Sequence, residues 1–216
     1  MIKLDHINHN YGAVDNAPVI ADISFEITPG ECVGLTGPSG CGKSTLAQII
    51  AGHIKPVSGK IFVDGEDRTF LPGRKVFMIH QEPDLFPWQR VIKQVLFAME
   101  KKNQDKAAEL LSLVKLEGCA NLFPNQLSGG MKKRLALARA LAINPSLLIL
   151  DESFSSLDST LKKELYNDLK LVWKKTGTTI LLITHDSSDL ENLAHREIRL
   201  TSEKPTSIHQ IVNYYD

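Results

Sequence analysis

Apolar and polar positions along the chain follow two rhythms. Short apolar runs at 31–36, 75–80, 147–151 and 178–184 predict strands, and the last three are apolar almost throughout, as expected of strands covered on both faces. Between them, 43–52, 91–102, 105–117, 132–143 and 159–175 carry helical spacing, and in 105–117 Leu110, Leu111, Val114 and Leu116 cluster on one side. Gly177 stops the 159–175 helix, and Ser188 with Glu191 has capping-box spacing ahead of a short helix. Ile61-Phe62-Val63 running into Asp64-Gly65 reads as a strand leaving through a turn, in a smaller antiparallel sheet near the N-terminus.

Alternation of strand and helix predicts an α/β fold with a mostly parallel sheet. Residues 82–126 break that alternation: they show helical spacing and no strand pattern, with Pro83, Pro87 and Pro124 near the joints. The expectation is therefore one domain over 1–216, with 1–81 and 145–216 forming the α/β core and 82–144 a helical subdomain inserted into it.

Composition narrows the class. Of 216 residues, 43% are hydrophobic and 23% charged, which excludes a mainly disordered, collagen-like or coiled-coil chain. No apolar run approaches the roughly 20 residues of a membrane-spanning helix. The start, Met1 to His6, lacks the apolar core of a signal peptide, so the chain is expected in the cytosol with only peripheral membrane contact. Lys plus Arg and Asp plus Glu are both 25, for a net charge of zero. Proteins that live on nucleic acid usually carry a basic excess, so none is expected as a partner. The cluster Met131-Lys132-Lys133-Arg134 reads as a solvated helix face. Cys32, Cys41 and Cys119 form no CxxC, which points to a reducing compartment and no structural zinc.

The strongest chemical signal is Gly37-Pro38-Ser39-Gly40-Cys41-Gly42-Lys43-Ser44-Thr45, which matches GxxxxGK[ST] between a predicted strand and a predicted helix. Its glycines let backbone N–H groups curl round phosphate oxygens, and the helix N-terminus adds its positive end. Lys43 would reach the β- and γ-phosphates, and Ser44 would place its hydroxyl on Mg²⁺. A dinucleotide-binding turn needs GxGxxG, whereas this loop reads GxxGxG. Next, Leu147-Leu148-Ile149-Leu150 delivers Asp151 and Glu152 to the carboxyl edge of a strand, where open α/β sheets bind ligands. Asp151 can hold Mg²⁺ through water, and Glu152 can orient and deprotonate an attacking water. Ser128-Gly129-Gly130 ahead of the helix at 132–143 is a second anion-binding helix start.

Taken together in this order, these motifs resemble those of the nucleotide-binding subunit of an ABC transporter, and the resemblance covers nearly the whole chain. Residues 37–45 resemble the family's Walker A loop, 147–152 its Walker B strand and 127–131 its signature. Tyr11 falls where the family has an adenine-stacking aromatic, Gln81 matches the Q-loop, Asp158 in Ser156-Leu157-Asp158 the D-loop, and His185 in Thr184-His185-Asp186 the switch histidine. The resemblance implies an ATPase that binds ATP and Mg²⁺ between two copies of the chain, each ATP lying between Walker A of one copy and the signature of the other. It implies Glu152 as general base, His185 on the γ-phosphate, and Gln81 on Mg²⁺ and water while linking the helical subdomain to a permease. Partners would be a second copy, membrane permease subunits on separate chains and, indirectly, an extracytoplasmic solute-binding protein, placing the chain on the cytoplasmic face of the cell membrane.

Pro83-Asp84-Leu85-Phe86-Pro87-Trp88, Met131 and the tail Thr201-Ser202-Glu203-Lys204-Pro205 resemble importers of the nitrate, sulfonate and taurine group, which includes carriers of thiamine precursors. A small solute of anionic or thiamine-precursor type is implied. The alternatives are an export-type subunit and a soluble relative acting on ribosomes or nucleic acid. One departure stands out: the family usually has Pro after the catalytic acid, and this chain has Ser153. A looser turn is expected there, with Ser153→Pro raising thermal stability without abolishing turnover. Cys41, near a helix N-terminus, is expected to react with alkylating agents and to be protected by MgATP.

Overall fold

The computed structural model describes residues 1–12, 18–153, 159–203 and 205–214. In chain order they form β1 (Ile2–His9), β2 (Ile20–Ile27), β3 (Cys32–Thr36), α1 (Lys43–Ile50), β4 (Ser58–Val63), β5 (Glu66–Asp67) and β6 (Val76–Ile79). Then come α2 (Val91–Ala98), α3 (Gln104–Leu113), α4 (Gly129–Ile143), β7 (Leu147–Asp151), α5 (Ser159–Thr176), β8 (Ile180–Ile183), α6 (Ser187–Leu193), β9 (Arg196–Leu200) and β10 (Ile208–Asn213).

Two sheets result. The larger runs β10-β9-β3-β8-β7-β6, with β10 antiparallel to β9 and the other pairings parallel. The smaller, β2-β1-β4-β5, is antiparallel throughout. Both match the expected α/β architecture, including the small N-terminal sheet, in which Ile61-Phe62-Val63 ends β4 ahead of the turn at Asp64-Gly65.

Pleating sends alternate residues of the central strands into different layers. Leu148, Leu150, Ile180 and Leu182 join one apolar cluster with Val91 and Val95 of α2, Leu111 of α3 and Leu135 of α4. Leu147, Ile149, Leu181 and Ile183 join the other, with Leu46 and Ile49 of α1 and Ile2, Leu4 and Ile23 of the small sheet. The helices of the 82–144 region therefore share a core with one face of the parallel sheet.

Several elements differ from the sequence expectation for identifiable reasons. In β1, register shifts between Leu4 and Ile7 break the alternation that would advertise a strand. In β9 the polar Glu197 is 2% exposed because Thr36, Arg199 and Tyr214 all hydrogen-bond it, so its charge misleads. Helix α4 begins at Gly129, three residues before the expected 132, because the Ser128 hydroxyl accepts from the Met131 N–H at 3.3 Å. Helix α6 is capped by Asp186, whose carboxylate accepts from the Ser188 N–H at 2.8 Å, and not by Ser188. An ionised carboxylate is the stronger acceptor at a helix start.

Because the core is shared, Leu135→Ala at a fully buried position of α4 should cost about 2–5 kcal/mol across one cooperative urea transition. A biphasic curve, in which only part of the helical signal shifts, would show that the inserted helices are stabilised separately.

Candidate functional site

Strand β3 ends at Thr36, and the chain turns through 37–42 into α1. Two glycines make that turn possible. Gly37 sits at φ 146°, where a Cβ would lie 2.8 Å from Cys41 Sγ, and Gly42 at φ 98° is the N-cap of α1. No side chain caps this helix start, so its backbone N–H groups face outward for an anion. The Lys43 ammonium curls over the loop, donating to Gly37 O at 2.8 Å and Pro38 O at 3.0 Å, poised where loop-bound phosphate would be met.

Two strands away, β7 brings its acids to the same edge. Burial, reinforced by the neighbouring Glu152, pushes the Asp151 carboxyl above its ordinary range, while Ser44 hydrogen-bonds it. Asp151 Oδ1 is buried and has no hydrogen-bond partner among the described residues. An orphaned carboxylate oxygen beside a serine hydroxyl fits a hard cation such as Mg²⁺, which takes few protein ligands and completes its shell with water and phosphate. Glu152 turns outward at φ 46°, its N–H bonded to Ile183 O at 3.0 Å, and its carboxylate lies 3.5 Å from His185 Nδ1.

A cavity of about 370 Å³ unites these groups: Tyr11, Val19, Ser39, Gly40, Gly42, Lys43, Ser44, Thr45 and Glu152 line it. The Tyr11 hydroxyl is 2.7 Å from Thr45 Oγ1, which holds the exposed ring beside the loop. Val19 was not singled out from the sequence; only its place just ahead of β2, against Gly42, brings it here. Gln81 leaves the end of β6 exposed, and Ser128, Gly129 and Gly130 open α4; none of the four lines this cavity. Asp158 lies outside the described residues.

Two sequence expectations need correction. Cys41 is 3% exposed, its thiol packed in the apolar core under the loop, so access by an alkylating agent is poor and only its backbone can meet phosphate. The cluster at 131–134 is not a solvated face. Arg134 Nη2 lies 2.9 Å from the buried Asp168 carboxylate, and Lys133 donates to the Ser153 carbonyl, burial pushing its ammonium below the ordinary range. Helix α4 is thereby tied to the turn after Glu152.

A second cavity, of about 360 Å³, opens between β6 and α4 beside Pro83 and Asp84. Arg139 lies in its wall with the guanidinium 4.8 Å over the Phe86 ring, and Phe86 packs against Trp88 and Phe97, which remain 71% and 61% exposed.

Comparison with known proteins agrees with this geometry. A family model described as ABC transporter matches residues 20–155. The aliphatic sulfonates import ATP-binding protein of Bacillus subtilis is 40% identical over 197 residues, covering 90% of this chain and 76% of that protein. The sulfate/thiosulfate import ATP-binding protein of Caulobacter vibrioides is 41% identical over 191 residues, covering 83% and 56%. Among solved structures, a dimeric bacterial ABC transporter cassette superposes with a TM-score of 0.85 at 29% identity, with each chain covered in full. A dimeric cassette in a post-hydrolysis state, bound to ADP and Pi, gives 0.84 at 28%, also over the full length of both.

The turn after Glu152 reverses one expectation. Proline disfavours α-type backbone at the residue before it, and Glu152 is left-handed. Ser153 is also buried, its hydroxyl 3.4 Å from Ile79 O. Ser153→Pro should therefore lower the melting temperature by several degrees in a thermal scan. A rise would mean that Glu152 readily leaves its left-handed conformation.

Proposed function

The chain belongs to the ABC transporter family as an ATP-hydrolysing cassette, and from that premise we propose that two copies enclose MgATP and drive an importer whose membrane-spanning part is on other chains. The observation that carries this reading is the separation of half-sites. Phosphate loop, Tyr11 and Glu152 share one cavity, while the signature at Ser128 to Gly130 stands away from it. A closed two-fold pair would bring each signature onto the partner's loop, and the dimeric form of one superposable cassette, seen in two structures, supports it.

Within that pair the residues divide the work. Backbone N–H groups of 39–45 and the Lys43 ammonium hold the phosphates, and Tyr11 stacks on adenine. Ser44, Asp151 and Gln81 would hold Mg²⁺, which supplies charge neutralisation on the phosphate oxygens. Glu152 orients water and takes its proton, and His185, 3.5 Å from Glu152, contacts the γ-phosphate. Ser128, Gly129 and Gly130 of each copy, with Asp158, close over the nucleotide of the other. In this reading 1–81 and 145–216 form the catalytic core, and 82–144 the subdomain that meets the permease. The cavity between β6 and α4, whose wall residue Arg139 lies over Phe86, and the exposed Trp88 and Phe97 packed on Phe86 support a docking segment there. Among the described residues no helix is long and apolar enough to cross a membrane, in keeping with a peripheral subunit on the cytoplasmic side. The sulfonate and sulfate importers among the relatives favour a small anionic solute, delivered by a solute-binding protein.

Lys43→Ala should lose ATP binding in titration calorimetry. Glu152→Gln should bind ATP, lose about 10²–10⁴-fold in turnover and run as a dimer in MgATP on size exclusion. Turnover at the wild-type rate in Glu152→Gln would remove the base assignment. Tagged Glu152→Gln purified from native membranes in MgATP should bring down a multi-span permease; ribosomes or nucleic acid in its place would overturn the importer reading.

A further inference from the structure

His185 follows β8 and is itself exposed, yet the residues on either side of it are tied down. The Thr184 hydroxyl donates to the Asp189 carboxylate, which is 2% exposed on the first turn of α6. The same carboxylate accepts from the Tyr166 hydroxyl of α5 and lies 2.7 Å from Lys162 Nζ. Lys162 Nζ also reaches Asp186 Oδ2 at 2.5 Å. Asp186 in turn donates its N–H to Thr184 Oγ1 at 3.0 Å and caps α6 through Ser188.

One ammonium from α5 therefore grips both neighbours of His185, Asp186 directly and Thr184 through Asp189. Burial alone would push this ammonium down, but hydrogen bonds to Asp186, Asp189 and Tyr166 together outweigh that and hold it above its ordinary range. The bond from Lys162 pulls Asp186 down to about 2. Both groups stay charged across neutral pH, and the Lys162 side chain is only 11% exposed. The shielded pair is Lys162 with Asp189, their side chains 11% and 3% exposed, which salt screens little and which fixes geometry more than it adds stability.

We infer that Lys162 is a positioning residue for ATP hydrolysis: bridging Asp186 and Asp189, it fixes the backbone around His185 and aims the imidazole at Glu152 and the γ-phosphate. Helix α5 follows immediately on the segment that contains Asp158, so the bridge also links the start of that helix to the histidine. A misplacement of about 1 Å at a reacting group can cost about 10²-fold. The inference rests on His185 acting in the reaction, as proposed above.

The test is a kinetic double-mutant cycle on the full chain, with Lys162→Met, His185→Ala and the pair. Lys162→Met should lower kcat about 10- to 100-fold with KM for ATP within about twofold, and Lys162→Arg should restore most of the loss. In the His185→Ala background the same substitution should change kcat by less than about twofold, because the group it aims is gone. Equal losses in both backgrounds would overturn the inference, whereas wild-type turnover in His185→Ala would instead overturn the role of His185. Should Lys162→Met fail to fold, Tyr166→Phe deletes only one donor to Asp189. It should give a smaller kcat loss that likewise vanishes without His185, and persistence of that loss would count against the inference.

Discussion

Strands β3, β7 and β8 place nearly every side chain out of water, alternate residues feeding two separate apolar layers. That two-sided burial leaves chemistry nowhere to go but the carboxyl edge of the sheet. There the strand order β3-β8-β7 sets the layout. Strand β3 runs into the glycine loop, β7 into Asp151 and Glu152, and β8, between them, into Thr184 and His185. Glu152, the glycine loop and His185 are neighbours because their strands are.

What holds these loops in one arrangement is a small number of shielded charges. Lys133 ties α4 to the Ser153 carbonyl, and Lys162 ties α5 to both sides of His185. Asp168, 1% exposed on α5, meets Lys115 Nζ at 2.6 Å and Arg134 Nη2 at 2.9 Å, joining α5 to the segment after α3 and to α4. Buried pairs of this kind add little net stability but penalise other geometries. A chain with no net charge thus places several of its charges at the joints between elements.

The sequence made legible whatever depends on local pattern. The glycine loop, the apolar run ending in two acids and the Ser-Gly-Gly helix start are each written in consecutive residues. The parallel sheet followed from strand–helix alternation. Less visible was whatever depends on residues far apart: the burial of Cys41 under Leu200 and Ile20, the occupation of Lys133 and Arg134 by partners on other elements, and the gathering of Lys162, Tyr166, Asp186 and Asp189. Polar strands such as β9 were hidden because Glu197, paired with Arg199 on its own strand, is buried by hydroxyl donors Thr36 and Tyr214 from other parts of the chain. Backbone angles were hidden too: the left-handed Glu152, with the burial of Ser153, reverses the expected effect of a proline at 153.

The proposed site is one that two copies of the chain complete together. The most direct measurement is ATPase rate per chain against chain concentration in saturating MgATP. If each nucleotide is finished by a second copy, the rate per chain rises with concentration and levels off once pairing is complete. A rate per chain that stays constant down to concentrations where sedimentation shows only monomer would contradict the shared site.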